Sequence, residues 1–366
     1  MAGVRRLATP GLPRPLKLVI QWGVSLGILV AIAFVLREQF GSITAADVPL
    51  PPLWSIAAAV GTFVVANELL VRGWLGLVAL GGARLDRRLG RWVWAKSQLA
   101  RYAIGMAQVA SRAIVARRFG LKPSTSAITT LLEVVWYTCI NGALVLATVP
   151  WWLPGTGLGW AAWFALLPGL VIVLALSSPG LFIRAALLLA KVPPLNRLGA
   201  EYRVRDLRVT RGDSARLTGL YVGNALIRLS GFTAIYLGVG GSPEDLLRVT
   251  GAFALGHLIG AVAVFAPGGL GPREGVTAIV LAPVIGPGPV LMLVAATRLL
   301  ELVAELLYAG VARTRSASHL AAHPDLRRAV TEPARADATD PPPPRLTGRA
   351  TETPPVGTVP GREHPT

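Results

Sequence analysis

The last long apolar stretch of the chain carries Arg298, Glu301 and Glu305, spaced i, i+3 and i+7, so three ionisable groups share one helical face. One arginine can neutralise only one of the two acids. The stripe must therefore meet further charges or water, which places it toward a bundle interior or a hydrated cavity. Other apolar runs are interrupted by Glu68 and Arg72, by Glu133, by Arg228 and by His257. Glu68 and Arg72 lie four apart and can satisfy each other across one turn. Glu133, Glu301 and Glu305 are suited to meet a cationic headgroup or a proton, whereas His257 reads as a packed polar residue.

The segment PGGLGPREG (267–275) combines three chemistries. Gly268, Gly269 and Gly271 allow positive φ and close backbone approach, and Pro267 and Pro272 interrupt helices. Arg273 sets a fork-shaped cation, with Glu274 beside it, at the start of a short helix. A helix N-terminus next to an arginine is a site for a phosphate or another anion. The plainer alternative is a tight turn in which Arg273 and Glu274 pair with each other. No Gly-Lys-Ser/Thr follows, which excludes a nucleotide-binding P-loop. The single cysteine, Cys139, and the histidines, three of which (His319, His323 and His364) lie near the C-terminus, form no metal-ligand spacing. No cofactor, metal or catalytic residue is expected.

These residues need a membrane around them. The 366 residues are 53% hydrophobic and only 15% charged, yet the formal net charge is +17. Charged residues in soluble domains run near a quarter, so the chain is better counted in spans, and its basic charge implies anionic lipid and excludes nucleic acid as a partner. Apolar stretches at 18–36, 53–80, 127–149, 158–177, 216–239, 249–266 and 289–311 are candidate spans. The stretch at 18–36 follows Arg5, Arg6, Arg14 and Lys17 and ends in Arg37-Glu38, which reads as a retained first span rather than a cleaved signal peptide. The segment 275–286 is too short to cross roughly 30 Å of hydrocarbon and is expected to re-enter or break, within a region 267–288.

Segment 83–122 holds ten Lys/Arg and one acid, interleaved with Trp92, Trp94, Tyr102 and Phe119. It reads as one or two helices in the cytoplasmic interface, or as a basic loop that only fixes topology. Lys/Arg number 4, 10, 8 and 8 in 1–17, 81–125, 178–216 and 312–366, against 1, 0 and 1 in 37–52, 150–157 and 240–248. Both termini are therefore expected in the cytoplasm, provided 275–286 counts as a crossing. Residues 313–366 contain ten prolines and few branched or aromatic residues, so a disordered tail is expected. The organisation is a basic N-terminus (1–17), a membrane domain (18–312) and that tail.

The P-G-G-L-G-x-R-E-G run, with Arg298 about 25 residues further on, resembles the C-terminal half of the membrane region of lysylphosphatidylglycerol synthase/flippase proteins. The block ARYAIGMAQVASRAIVARRFGLKPSTSAITTLLE (100–133) is similar to that family's second hallmark, through Arg101, Tyr102, Gly105, Arg112, Gly120 and Glu133. Ile104 stands where the family usually has proline. The resemblance covers residues 15–312 and implies an all-α, polytopic helical bundle of seven to eight membrane segments. It also implies two pseudo-symmetric halves containing re-entrant or broken helices around a lipid-headgroup cavity. Two-domain members append a soluble aminoacyltransferase domain, and no catalytic motif is found here. The expectation is lipid translocation or headgroup binding at the plasma membrane, with a phospholipid or lipid-linked substrate as partner. The alternative is a membrane subunit for an enzyme of cell-envelope biogenesis; self-association of the chain is a further partner expectation.

Overall fold

The computed structural model describes residues 50–102, 107–152, 159–191, 209–263 and 271–324. Among them the chain is all-helical, with no strand. Ten α-helices follow in order: α1 (Leu53–Leu80), α2 (Arg87–Gln98), α3 (Ala107–Arg117), α4 (Pro123–Trp152), α5 (Leu166–Leu176), α6 (Pro179–Lys191), α7 (Arg211–Gly238), α8 (Leu246–Val262), α9 (Pro272–Ile285) and α10 (Pro287–Ala322). Short 3-10 turns at Leu99–Tyr102, Gly159–Ala165 and Pro243–Asp245 join them. The first expected span (18–36), Gly105, Pro267, Gly268, Gly269 and the tail beyond 324 lie outside the described residues.

Among the described residues, four helices are long and apolar enough to cross a membrane: α1, α4, α7, and α8 together with the 3-10 turn before it. A fifth is added if α5, with part of the 3-10 turn before it, and α6, bent by 77°, form one broken span. The expected span at 158–177 ends where this bend falls, and a further helix, α6, follows it. Ser177 and Ser178 bond back to the carbonyls of Val173 and Ala175, and Pro179 opens the next helix because it lacks the N–H that would continue the first.

Two antiparallel pairs set the frame. α1 and α7 pack with Gly73 against Tyr221, Gly76 against Leu217 and Gly231 against Phe63, small residues that admit large ones from the opposing helix. α9 runs back along α8: Gly260 lies against Arg273, and Gly256 against Thr277 one turn further on. A Cβ at Gly256 would also stand 3.1 Å from the Arg273 carbonyl oxygen, so the GHLIG pair (256–260) is what lets α9 approach.

α9 has 14 residues, roughly 21 Å of helix, and starts three residues before the short segment expected at 275–286. Gly271 (φ +91°) and Gly286 (φ +81°) bound it in backbone conformations that glycine adopts without steric cost, with Pro272 and Pro287 as the first residues of α9 and α10. α10 has 36 residues and continues past the expected boundary at 312 to Ala322, so the start of the segment read as a disordered tail is helical. Its last turns are held by contacts: His319 lies 3.5 Å from Arg88 and 3.6 Å from Asp86 at the start of α2. Tertiary pairing here outweighs local composition, which is all that the sequence offers at that boundary.

Segment 83–122 contains two helices, α2 and α3, and α2 packs on α10 as well as on α3. Asp86 caps α2 by accepting from the N–H groups of Arg88 (2.8 Å) and Leu89 (3.2 Å). Of its face, Val93, Trp94, Ala95, Ser97 and Gln98 are buried, while Arg87, Arg88 and Lys96 face outward.

Candidate functional site: a buried seam of arginines and carboxylates

The charged stripe on α10 is buried among five other helices. Glu301 is 1% exposed and receives both terminal nitrogens of Arg273, Nη1 to Oε2 at 2.8 Å and Nη2 to Oε1 at 2.9 Å. That fork-to-fork geometry is the strongest form of the pair. Arg228 of α7, itself 3% exposed, donates to the same carboxylate at 3.4 Å, and Arg298 does so at 3.5 Å. Arg228 also donates to Asn67 Oδ1 of α1 at 2.6 Å, which fixes its guanidinium between α1 and α10. His257 presents Nδ1 to the Phe253 carbonyl at 2.8 Å; a carbonyl only accepts, so that nitrogen carries hydrogen. Its Nε2 lies 3.7 Å from Glu301.

The local pairing of Arg273 with its neighbour, offered above as the plainer alternative, does not form. Glu274 instead accepts the backbone N–H of Gly271 at 2.7 Å and stands 3.5 Å from Arg298. Its carboxylate caps the N-terminus of α9, where the helix dipole favours negative charge. One residue back, Arg273 is left facing Glu301.

Two further clusters complete the seam. Arg101 pairs with Glu305, one turn along α10 from Glu301, and donates to the Tyr102 hydroxyl at 3.2 Å. Arg298 sits 5.6 Å from the centre of the Tyr102 ring. Arg112, with 0% exposure, donates to Glu133 at 2.8 Å, to Ser97 at 3.0 Å and to Gln98 at 3.1 Å, between the rings of Trp74 and Trp94. The Trp94 indole N–H also points at Glu133, 3.3 Å from both carboxylate oxygens. One helical turn beyond Glu133 on α4, Tyr137 lies edge-on to His257 with ring centres 5.9 Å apart, which links this cluster to the first.

Beside Glu301 opens a recess of about 270 Å³, counted with its mouth. Its polar wall is His257, Arg273, Glu274, Thr277, Thr297 and Arg298, and its apolar wall is Phe232, Phe253 and Val294. The recess is narrow, with room for roughly one water, so a headgroup enters only if the surrounding side chains move.

Of the residues singled out in the sequence, Arg273, Glu274 and Arg298 line this recess and Glu301 lies directly behind it. Arg101, Tyr102 and Glu305 form the adjoining cluster. Arg112 and Glu133 belong to the third, so Glu133 does not meet the recess as a headgroup contact but is neutralised by Arg112. Gly271 serves as the N-cap of α9. Arg228 and His257 were visible as ionisable groups in apolar runs, yet only the fold brings them to Glu301. Asn67 and Gln98 carried no signal, because a lone amide in a helix has no spacing to mark it. The pair at Glu68 and Arg72 forms at 2.9 Å, but Arg72 is 60% exposed there, and Arg91 (2.6 Å) and Tyr308 (2.7 Å) hold Glu68 as well.

At the end of the bundle where α10 meets α2, Lys96 lies near Arg118 and Arg313. Burial and those two like charges push the Lys96 ammonium below its ordinary lysine range. Among the described residues no group of histidines, cysteines and acids could hold a metal ion. A scan against protein-family models, a search of curated proteins and a search of solved structures each found no match for this chain.

Proposed function

We propose that the protein is a flippase-like translocator that admits an anionic lipid headgroup from the membrane and passes it between leaflets. The observation that carries this reading is Glu301 held by three guanidiniums within the bundle, behind a recess walled by aromatic rings and by the start of α9. Ionised side chains at that depth are costly to retain, and they mark pathways for charged groups. The backbone breaks at Gly271 and Gly286 support the reading, because substrate sites in transporters are often built from interrupted helices. In this reading α10 is a span, and with the 18–36 stretch and α9 the membrane region has seven to eight segments in two related halves. The basic outer face of α2, with Arg117 at the end of α3, gathers anionic lipid at the cytoplasmic side of the plasma membrane, where both chain ends lie.

The test is leaflet exchange in vesicles of phosphatidylcholine with about 10% labelled phosphatidylglycerol. Wild type is expected to speed exchange, and Arg273→Gln to lower that rate by about tenfold or more, the loss expected for one charged contact worth about 1.4 kcal/mol. Equal rates with wild type, Arg273→Gln and empty vesicles would overturn the reading.

A further inference from the structure

The seam is not charge-balanced. Among the described residues it contains five arginines (101, 112, 228, 273 and 298) and four carboxylates (133, 274, 301 and 305). Two pairs close on themselves, Arg101 with Glu305 and Arg112 with Glu133. The excess of one positive charge therefore falls at the recess, where three guanidiniums share Glu301 and Glu274. Buried Arg228, which reaches Glu301 from behind the recess, has no partner for its Nε among the described residues, so donor capacity is also left over beside Glu301.

Glu301 uses that site as a ligand would. An arginine fork closed on both carboxylate oxygens is the arrangement by which a phosphate or carboxylate is gripped, and Glu301 fills it from within the chain. When Arg273 turns to an incoming anion, the displaced carboxylate keeps Arg228 at 3.4 Å and Arg298 at 3.5 Å, so it is not stranded without a partner. One added negative charge cancels the excess. Two would leave the interior net negative, which apolar surroundings disfavour.

We propose that Glu301 is a built-in competitor occupying an anion site, and that the ligand which exchanges with it at Arg273 is a singly charged phosphodiester. This rests on the headgroup-binding reading and specifies its substrate class. The chemistry is shared by a lipid headgroup and a free diester; the apolar wall of Phe232, Phe253 and Val294 favours the lipid.

The experiment is equilibrium binding to the full-length protein in uncharged detergent at about pH 8, with four probes. These are short-chain phosphatidylglycerol (one charge), short-chain phosphatidic acid (close to two), short-chain phosphatidylcholine (zwitterion) and dimethyl phosphate (diester without chains). Wild type is expected to bind phosphatidylglycerol at least about tenfold tighter than phosphatidic acid or phosphatidylcholine. Glu301→Gln removes the competitor and raises the excess to two, so it should bind phosphatidylglycerol about tenfold tighter than wild type and accept phosphatidic acid as well. Weaker dimethyl phosphate binding identifies the lipid as the ligand, and equal binding identifies the free diester.

Wild type that binds phosphatidic acid as tightly as phosphatidylglycerol overturns the proposal without any variant. So does a Glu301→Gln protein, of unchanged elution volume, that binds phosphatidylglycerol no better than wild type. The vesicle assay separates the two readings. Binding that follows this pattern without leaflet exchange removes translocation and leaves the competitor, whereas exchange with no gain at Glu301→Gln removes the competitor alone.

Discussion

At the scale of single residues, burial decides which ion pairs matter. Arg112 and Glu133 are both buried, and removing one partner leaves the other charged in an apolar interior. Arg112→Ala is expected to cost about 3–5 kcal/mol, while Arg112→Met with Glu133→Leu recovers most of it, because a packed apolar pair has no desolvation cost to offset. Thermal unfolding in detergent measures both, and a double variant no better than the single one would contradict the account. Arg72→Ala should change stability by less than about 1 kcal/mol, since Arg72 is exposed and Glu68 keeps Arg91 and Tyr308. The stripe Arg298, Glu301 and Glu305 was legible because charges stand out against an apolar helix. Its partners were not, because Arg101 and Arg228 reach it from sequence positions 204 and 73 residues away. Sequence proximity also suggested Arg273 with Glu274, and the capping role of Glu274 redirects both.

At the scale of elements, the seat of α9 depends on two glycines of α8. A side chain at Gly256 would run into Thr277 and the Arg273 backbone, so Gly256→Val should push α9 outward and separate Arg273 from Glu301. We expect a lower unfolding temperature together with weaker phosphatidylglycerol binding. Gly61→Ala in α1 is the control: nothing lies within 4 Å of its added Cβ, and it should be neutral or stabilising by up to about 1 kcal/mol. A Gly256→Val protein with intact binding would show that α9 is positioned by other contacts. Helix existence was largely readable from hydropathy, as α1, α4, α7 and α8 fall on the expected spans. The end of α5 was legible, since the expected span stops at 177, but the helix that resumes at Pro179 was read only as part of a basic stretch. The GHLIG pair was present in the sequence too, and its meaning required knowing which helix lay opposite.

At the scale of the whole molecule, charge and geometry agree on two ends. The junctions around Arg84, Lys122, Arg211 and the last turns of α10 lie at one end, tied by the contact of His319 with Arg88 and Asp86. The opposite end holds the start of α1, the Val239–Asp245 turn and the contact of Arg248 with the Trp151 carbonyl at 3.0 Å. If basic loops face the cytoplasm, Arg117→Cys and Ser318→Cys in a Cys139→Ser background should react with a membrane-impermeant thiol reagent only after the cells are opened. Gly240→Cys should react in intact cells. Labelling of Ser318→Cys and Gly240→Cys from the same side would refute this topology. Counting loop charges was sufficient to expect it, whereas the depth at which α9 begins depends on packing that no charge count contains.

The stripe on α10 also bears on biosynthesis. α10 supplies Glu301 to Arg228 and Arg273, Glu305 to Arg101 and Tyr308 to Glu68, and it follows all of these partners in the chain. Until α10 is made, Arg101, Arg228 and Arg273 lack these carboxylates, and unpaired charges in an apolar interior are costly. The last described helix thus completes the seam: in a chain that stops before residue 287 these three arginines would lack the carboxylates that α10 brings.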